Sequence, residues 1–168
     1  MVKIGFGGGC HWCTEGVFQS LLGVDEVQQG WIASEGANSS FSEAVIVSFD
    51  EVIISLEVLI AIHLHTHAST ANHSFREKYR SAIYTFSEGQ VTDALKAIEK
   101  TQKDFDKRII TQVLPFSSFK LNSENYQNYL YSRRDNAFCK RYIHPKLSLL
   151  RSKFSKQVDV AKLAEFDE

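Results

Sequence analysis

Apolar residues recur along this chain in two alternating rhythms, short runs and helical spacing. Lys3 to Phe6 is a short run that ends in glycines and reads as a strand. Trp12 to Leu22 carries Val17, Phe18, Leu21 and Leu22 on one face of a predicted helix, which Gly23 ends. Val27 to Ile32 and Ala44 to Phe49 read as further strands, and the polar stretch Ser34 to Ser40 between them is a turn region rather than a linker. Ser55 is placed to cap a helix running to His63, with Val58, Leu59 and Ile62 inward. Arg80 to Phe86 is the next strand. Ser87 then opens a helix whose Val91, Ala94, Leu95 and Ile98 share a face, and Ile109 to Leu114 is a strand that stops at Pro115 for want of an N–H.

The order βαββαβαβ, free of internal repeats, predicts an α/β chain folded as a two-layer α+β sandwich. Its sheet is expected to be small, mixed and largely antiparallel, with packed helices on a ferredoxin-like core. From Leu147 onward Leu149, Leu150, Phe154, Val158 and Val160 lie among lysines and an arginine. This predicts a C-terminal helix over the domain, fraying beyond Ala161. One domain over residues 1–155 and a helical tail over 156–168 are expected.

A chain of 168 residues, 43% hydrophobic, suffices for one buried core and not for two. Its 19 basic and 20 acidic side chains give no overall attraction to nucleic acid or an acidic membrane, so local chemistry must choose the partner. The apolar stretch Val52 to Ile62 is broken by Glu57 and is too short to span a bilayer. The first residues enter a strand directly, without an apolar leader, so a cytoplasmic protein is expected; a monomer is expected as well. Three cysteines are too few and too odd in number for a disulfide framework and suit reactive thiols in a reducing compartment.

The densest chemistry lies in Gly7-Gly8-Gly9-Cys10-His11-Trp12-Cys13-Thr14-Glu15, where strand gives way through glycines to helix. A cysteine at that junction faces the partly positive helix end, which favours thiolate and makes a nucleophile. Cys13, one turn on, is placed to capture an oxidised Cys10 as a disulfide. Two competing readings use the same residues. Cys10-His11-Trp12-Cys13 has the spacing of a thioredoxin-like disulfide oxidoreductase, although no convincing cis-proline segment stands opposite it. His63, His65, His67 and His73, with Cys10, His11 and Cys13, have the side chains of a zinc site, but only His63 and His67 share a helical face. A single CxxC is a weak metal signal, and no metal is assigned. Trp31 and Phe41 are read as packing residues.

These residues also carry a family resemblance. Phe6 to Glu15 resembles the glycine-glycine-cysteine-phenylalanine-tryptophan signature of the A-type peptide methionine sulfoxide reductases. Ser42-Glu43-Ala44-Val45, His67, Lys78-Tyr79-Arg80-Ser81-Ala82-Ile83, Glu124-Asn125-Tyr126-Gln127 and Phe138-Cys139 to Lys146 follow in the family's order. The chain is similar to a divergent member. Reduction of a sulfoxide requires a soft nucleophile for sulfur and a proton donor for oxygen. Cys10 is the candidate nucleophile. Glu43, on a strand expected to be buried, and Tyr79 match positions the family uses to bind and protonate the oxygen, and burial is expected to keep a Glu43 proton in place. Cys10 would become a sulfenic acid, with Cys13 or Cys139 as resolver. The resemblance implies no bound cofactor and an external dithiol reductant such as thioredoxin, acting on the S epimer of methionine sulfoxide, free or in protein. A noncatalytic sulfoxide-binding module remains the other possibility if the donors are misplaced.

Several positions depart from the family pattern. His11 replaces a phenylalanine that, with the tryptophan matched by Trp12, forms the pocket for the substrate methyl group. An oxygen-binding tyrosine is absent near Trp31. The place of an active-site aspartate is taken by Ser74, or by His73 if the gap falls differently, so His73, Ser74 or Asn72 are candidates to rebuild the oxygen and amide contacts.

Overall fold

The computed structural model describes residues 1–164. Six strands, β1 (Val2–Gly7), β2 (Val24–Ala33), β3 (Ser42–Phe49), β4 (Ala82–Thr85), β5 (Gln112–Pro115) and β6 (Ser118–Leu121), form one sheet in the order β5-β4-β1-β3-β2-β6. The inner four are antiparallel, and with helices α1 (His11–Gln19) and α2 (Leu56–His65) they make the expected ferredoxin-like core. Every residue of β3 is buried. Its alternation therefore serves two apolar layers: Val45, Val47 and Phe49 join the helix-side core, while Ala44 and Ile46 join Ile32 and Tyr84 on the other face.

Helix starts follow their caps. Ser55 Oγ accepts from the Val58 N–H, and Ser87 Oγ from the Gln90 N–H at the start of α3 (Glu88–Thr101). Two positions expected inside face water. Leu22 is 45% exposed because α1 ends at Gln19 and the Leu22 amide turns to the Gln157 carbonyl. Leu95 is 55% exposed because α3 buries the small Ala94 and Ala97 instead, which permits close approach to α2.

The strand expected over 109–114 begins at Gln112 and includes Pro115, running parallel to β4. Pro115 is tolerated because β5 is an edge strand whose outer N–H groups need no ladder partner. Strand β6 has no counterpart in the sequence reading. Its residues, Ser118-Phe119-Lys120-Leu121, have one polar face, and pairing with β2 defines it.

The C-terminal part is a cap over α1, made of α4 (Tyr129–Ser132), a π-helical turn (Cys139–Ile143), α5 (His144–Lys153) and α6 (Val160–Leu163). The single helix expected from Leu147 is thus interrupted after Lys153. Val158 bridges Leu21, and Val158 and Leu163 are buried in the main core. Of the fraying expected beyond Ala161, residues 165–168 lie outside the described residues. No helix among the described residues is long and apolar enough to cross a membrane.

Candidate active site

Cys10 is the N-cap of α1 and lies where β1 leaves the sheet. Two of the three glycines before it, Gly7 and Gly8, are dictated by close approach, whereas a Cβ on Gly9 would meet open space. A Cβ on Gly7 would lie 2.9 Å from the Arg80 carbonyl oxygen and 3.1 Å from that of Glu43, while the His67 ring occupies the place of a Cβ on Gly8. Arg76 fastens the turn from outside, donating to the carbonyls of Gly8 and Tyr79, both at 2.9 Å.

The two N-terminal cysteines form a polarised pair. The Cys13 thiol hydrogen bond to Cys10, aided by the backbone N–H groups of Trp12 and Cys13, lowers the Cys10 pKa against the opposing effects of burial and the nearby Glu43 charge. The same hydrogen bond, with burial, pushes the Cys13 thiol well up. Of the two, Cys10 is thus the thiol that ionises more readily and Cys13 the one that keeps its proton. Lys146, which donates to the Thr66 carbonyl, places a cation near both thiols and draws the Cys13 pKa partly back down. Cys139 is fully buried at the start of the π-helical turn, near enough to Cys13 for their charges to interact, and burial raises its pKa.

A cleft of about 420 Å³ opens over Cys10, lined by Cys13, His67, His73, Tyr79 and Lys146 and rimmed by Phe75, Phe138 and Tyr142. Glu43 adjoins it at the start of β3. That end of β3 is tied to the segment before β4, because the Glu43 N–H and Ser42 Oγ both donate to the Lys78 carbonyl, at 3.0 and 2.9 Å. Glu43 is buried; its Oε1 accepts from the His11 N–H at 3.2 Å, and its Oε2 lies 3.7 Å from Lys78 Nζ.

The fold brings Cys10, Cys13, Tyr79 and His73 to one cleft, with Glu43 beside it. His73 is exposed and its Nδ1 accepts from the Phe75 N–H; Ser74 is exposed and does not line the cleft. Phe41, read as a packing residue, is 49% exposed, because it precedes β3 outside both apolar layers. Trp31 is half-buried, meeting His11 edge-on and lying under Lys120. Trp12 stacks flat on Tyr129, with centroids 4.1 Å apart and ring planes within 4°, and meets Phe138 edge-on. Phe75, Phe138, Tyr142 and Lys146 were not singled out as site residues. Only the block from Phe138 to Lys146 held a signal for the last three.

The histidines are committed to the protein. His63 Nε2 donates to the Gly7 carbonyl at 2.8 Å; His67 Nδ1 donates to the His63 carbonyl and its Nε2 accepts from Ser81 Oγ at 2.8 Å; His65 pairs with Asp104. Among the described residues no three His, Cys, Asp or Glu side chains converge as a metal set. Burial holds His63 well below its ordinary range and His67 down to about 3. An unfolded chain binds protons at both histidines from about pH 6.5 downward, whereas the folded one does not. Stability is therefore expected to fall as pH drops from 6.5 toward 3, by up to about 1.4 kcal/mol per pH unit for each histidine. Urea unfolding across that range checks it, and a His67→Gln variant should show a shallower slope.

A profile of the family described as peptide methionine sulfoxide reductase matches residues 2–158. The peptide methionine sulfoxide reductase MsrA of Psychrobacter sp. (strain PRwf-1) is 35% identical over 170 residues, covering 92% of this chain and 97% of that protein. Reduced Mxr1 from Saccharomyces cerevisiae matches with a TM-score of 0.74 and 22% identity over 84% of this chain and 90% of its own. Mxr1 in complex with Trx2 matches with a TM-score of 0.61 and 23% identity over 76% and 84%. With a profile spanning nearly the whole length and a relative this similar from end to end, the chain belongs to the peptide methionine sulfoxide reductase family.

Proposed function

We propose that the protein reduces the S epimer of methionine sulfoxide, free or in protein, through a sulfenic acid on Cys10. The observation that carries this is the Cys10 thiol at the start of α1, its pKa lowered by the Cys13 thiol, facing a cleft beside Glu43 and Tyr79. The Cys10 sulfur supplies two electrons to the substrate sulfur, the S–O bond breaks, and oxygen passes to Cys10 with one proton from Glu43 or Tyr79. Methionine leaves and Cys10 carries –SOH. A resolving thiolate then attacks Cys10, forming a disulfide, and the departing hydroxide takes a proton to leave as water.

Cys13 fits the resolving role because its thiol already touches Cys10, and Lys146 favours its ionisation once the Cys10 charge is gone. Cys139 suits a second, relayed disulfide. An external dithiol of the thioredoxin class would restore the thiols, and no bound metal, flavin or nicotinamide is needed for these steps. Phe75, Phe138 and Tyr142 would hold the methyl and methylene groups by apolar and sulfur–aromatic contact, while Trp12, which does not line the cleft, backs Phe138 edge-on. His73 stands at the cleft mouth, where it could meet the substrate amide.

The test is a single turnover of each blocked epimer with prereduced protein, counting thiols lost by mass spectrometry. The expected result is methionine from one epimer with loss of two thiols. Cys13→Ser should still yield one methionine per protein but slow recycling by at least about tenfold. Undiminished multiple turnover by that variant would move the resolving role to Cys139.

A further inference from the structure

Phe75 and Tyr142 are 65% and 48% exposed, and both line the cleft over Cys10. Exposed aromatics scattered singly need no explanation, but two from separate segments that meet at a reactive thiol do. Phe75 comes from the segment before β4, and Tyr142 from the π-helical turn of the C-terminal cap. Neither is loosely held. Phe138 sits edge-on against Trp12 and Tyr129, at centroid distances of 5.3 and 5.9 Å, and Tyr142 leans on Phe138 at 4.9 Å. Phe75 is fixed through its backbone: its N–H donates to His73 Nδ1 and its carbonyl accepts from the Tyr79 N–H at 2.9 Å. The next residue, Arg76, donates to the carbonyls of Ala68, Ala71, Gly8 and Tyr79. A ring kept in water on a pinned backbone loses little freedom when a partner covers it.

The reacting side chain does not use this surface up. At ~30 Å³ or less per heavy atom, the share of one water in the liquid, a methionine sulfoxide side chain takes about 150 Å³ of a cleft of about 420 Å³. The rest of the substrate meets the remainder. A free amino acid would bring an α-ammonium, yet among the described residues no Asp or Glu lines the cleft, and Glu43 beside it is engaged by the His11 N–H and Lys78. A peptide brings uncharged amides and a neighbouring side chain instead. We propose that the parts of Phe75 and Tyr142 left in water form a subsite for an apolar side chain next to methionine sulfoxide in a peptide, so that oxidised methionines with an aliphatic or aromatic neighbour are selected.

This rests on the reductase reading above. The competing occupant is an acidic neighbour, since two cations lie close by. Both are already engaged: the Lys146 ammonium donates to the Thr66 carbonyl, and the Arg141 guanidinium lies over the Tyr142 ring, 5.4 Å from its centroid. The open surface that remains is aromatic. Covering about half of a leucine side chain against it is worth roughly tenfold in affinity.

The experiment measures kcat/KM on blocked tripeptides with methionine sulfoxide at the centre and leucine, glycine or glutamate on both sides, using a small dithiol as reductant. In a ping-pong cycle this ratio reports the half-reaction with the sulfoxide and not the recycling of the thiols. The leucyl peptide is expected to exceed the glycyl one by about tenfold, with the glutamyl peptide no better than the glycyl. In a Phe75→Ala, Tyr142→Ala double variant the leucyl-to-glycyl ratio is expected to fall to within about twofold of one, whereas Phe75→Leu with Tyr142→Leu should keep most of it. Equal values for leucyl and glycyl peptides, a preference for the glutamyl peptide, or a ratio that survives in the alanine variant overturns the proposal. Should the alanine variant fail to fold, the wild-type ratios still decide. If no peptide of either epimer yields methionine, the reductase reading itself fails; if leucyl and glycyl peptides are reduced alike, only the subsite fails.

Discussion

Cys10→Ser is expected to remove methionine formation altogether, a fall of at least about four orders of magnitude in single-turnover rate. The reason is electronic. A hydroxyl at this position would stay protonated where the thiol ionises, and it lacks the polarisable lone pairs that attack sulfur. The fold should survive, since Cys10 is half-buried at a helix start and its backbone carbonyl, not its sulfur, accepts the first amides of α1 from Cys13 and Thr14 at 3.1 and 3.2 Å. Methionine release by chromatography, beside an unchanged circular dichroism spectrum, makes the comparison. Residual turnover within a hundredfold of wild type would move the nucleophile to another thiol and remove the basis of the mechanism.

The second large effect concerns stability rather than chemistry. Glu15 is fully buried on α1, and its carboxylate accepts from the Asn128 and Tyr129 N–H groups, both at 2.9 Å, and from Gln29 Nε2 at 3.0 Å. Asn128 adopts a left-handed conformation there, φ 56°, which asparagine tolerates better than most residues. This one side chain joins α1, β2 and the C-terminal cap. Glu15→Ala would leave two backbone donors and a side-chain amide buried without partners, and should lower unfolding stability by about 3–5 kcal/mol. A drop in Tm on the order of 10 °C follows for a chain of this size. Burial raises the Glu15 pKa against those three donors, so part of the carboxylate's hydrogen bonding offsets its own desolvation. Glu15→Gln, which keeps one acceptor oxygen, should lose roughly half as much. A loss below about 1 kcal/mol in Glu15→Ala would mean that the cap is held by its apolar contacts alone.

The acid destabilisation expected from His63 and His67 belongs to the same picture. Buried polar groups around β1 and α1 tie down the turn that carries Cys10. His67 in particular packs on Gly8 and is tied through Ser81 to Thr111, linking the turn to the sheet edge. Its role is to shape the loop beneath Cys10, and burial disfavours a charge there.

How much was legible in sequence differs between elements. Strands β1 and β3 and helices α1 and α2 could be read because apolar periodicity, glycine and serine caps act within a few residues of themselves. The candidate nucleophile was legible for the same reason: the Cys10 pKa is lowered by Cys13 and by two backbone amides within three positions. Strand β6 was not, since a polar four-residue edge becomes a strand only when β2 offers its N–H and C=O groups. Nor could sequence alone show that His11 meets Glu43 across 32 positions, that Lys146 lies beside the thiols, or that Ser74 faces water. By itself the sequence determined the core topology, the candidate reactive thiol and the set of candidate donors, because each depends on chemistry local to the chain. Tertiary structure decided which candidate donors converge and which candidate resolver is nearest. Those depend on burial and on hydrogen bonds between segments that meet only after the chain has folded.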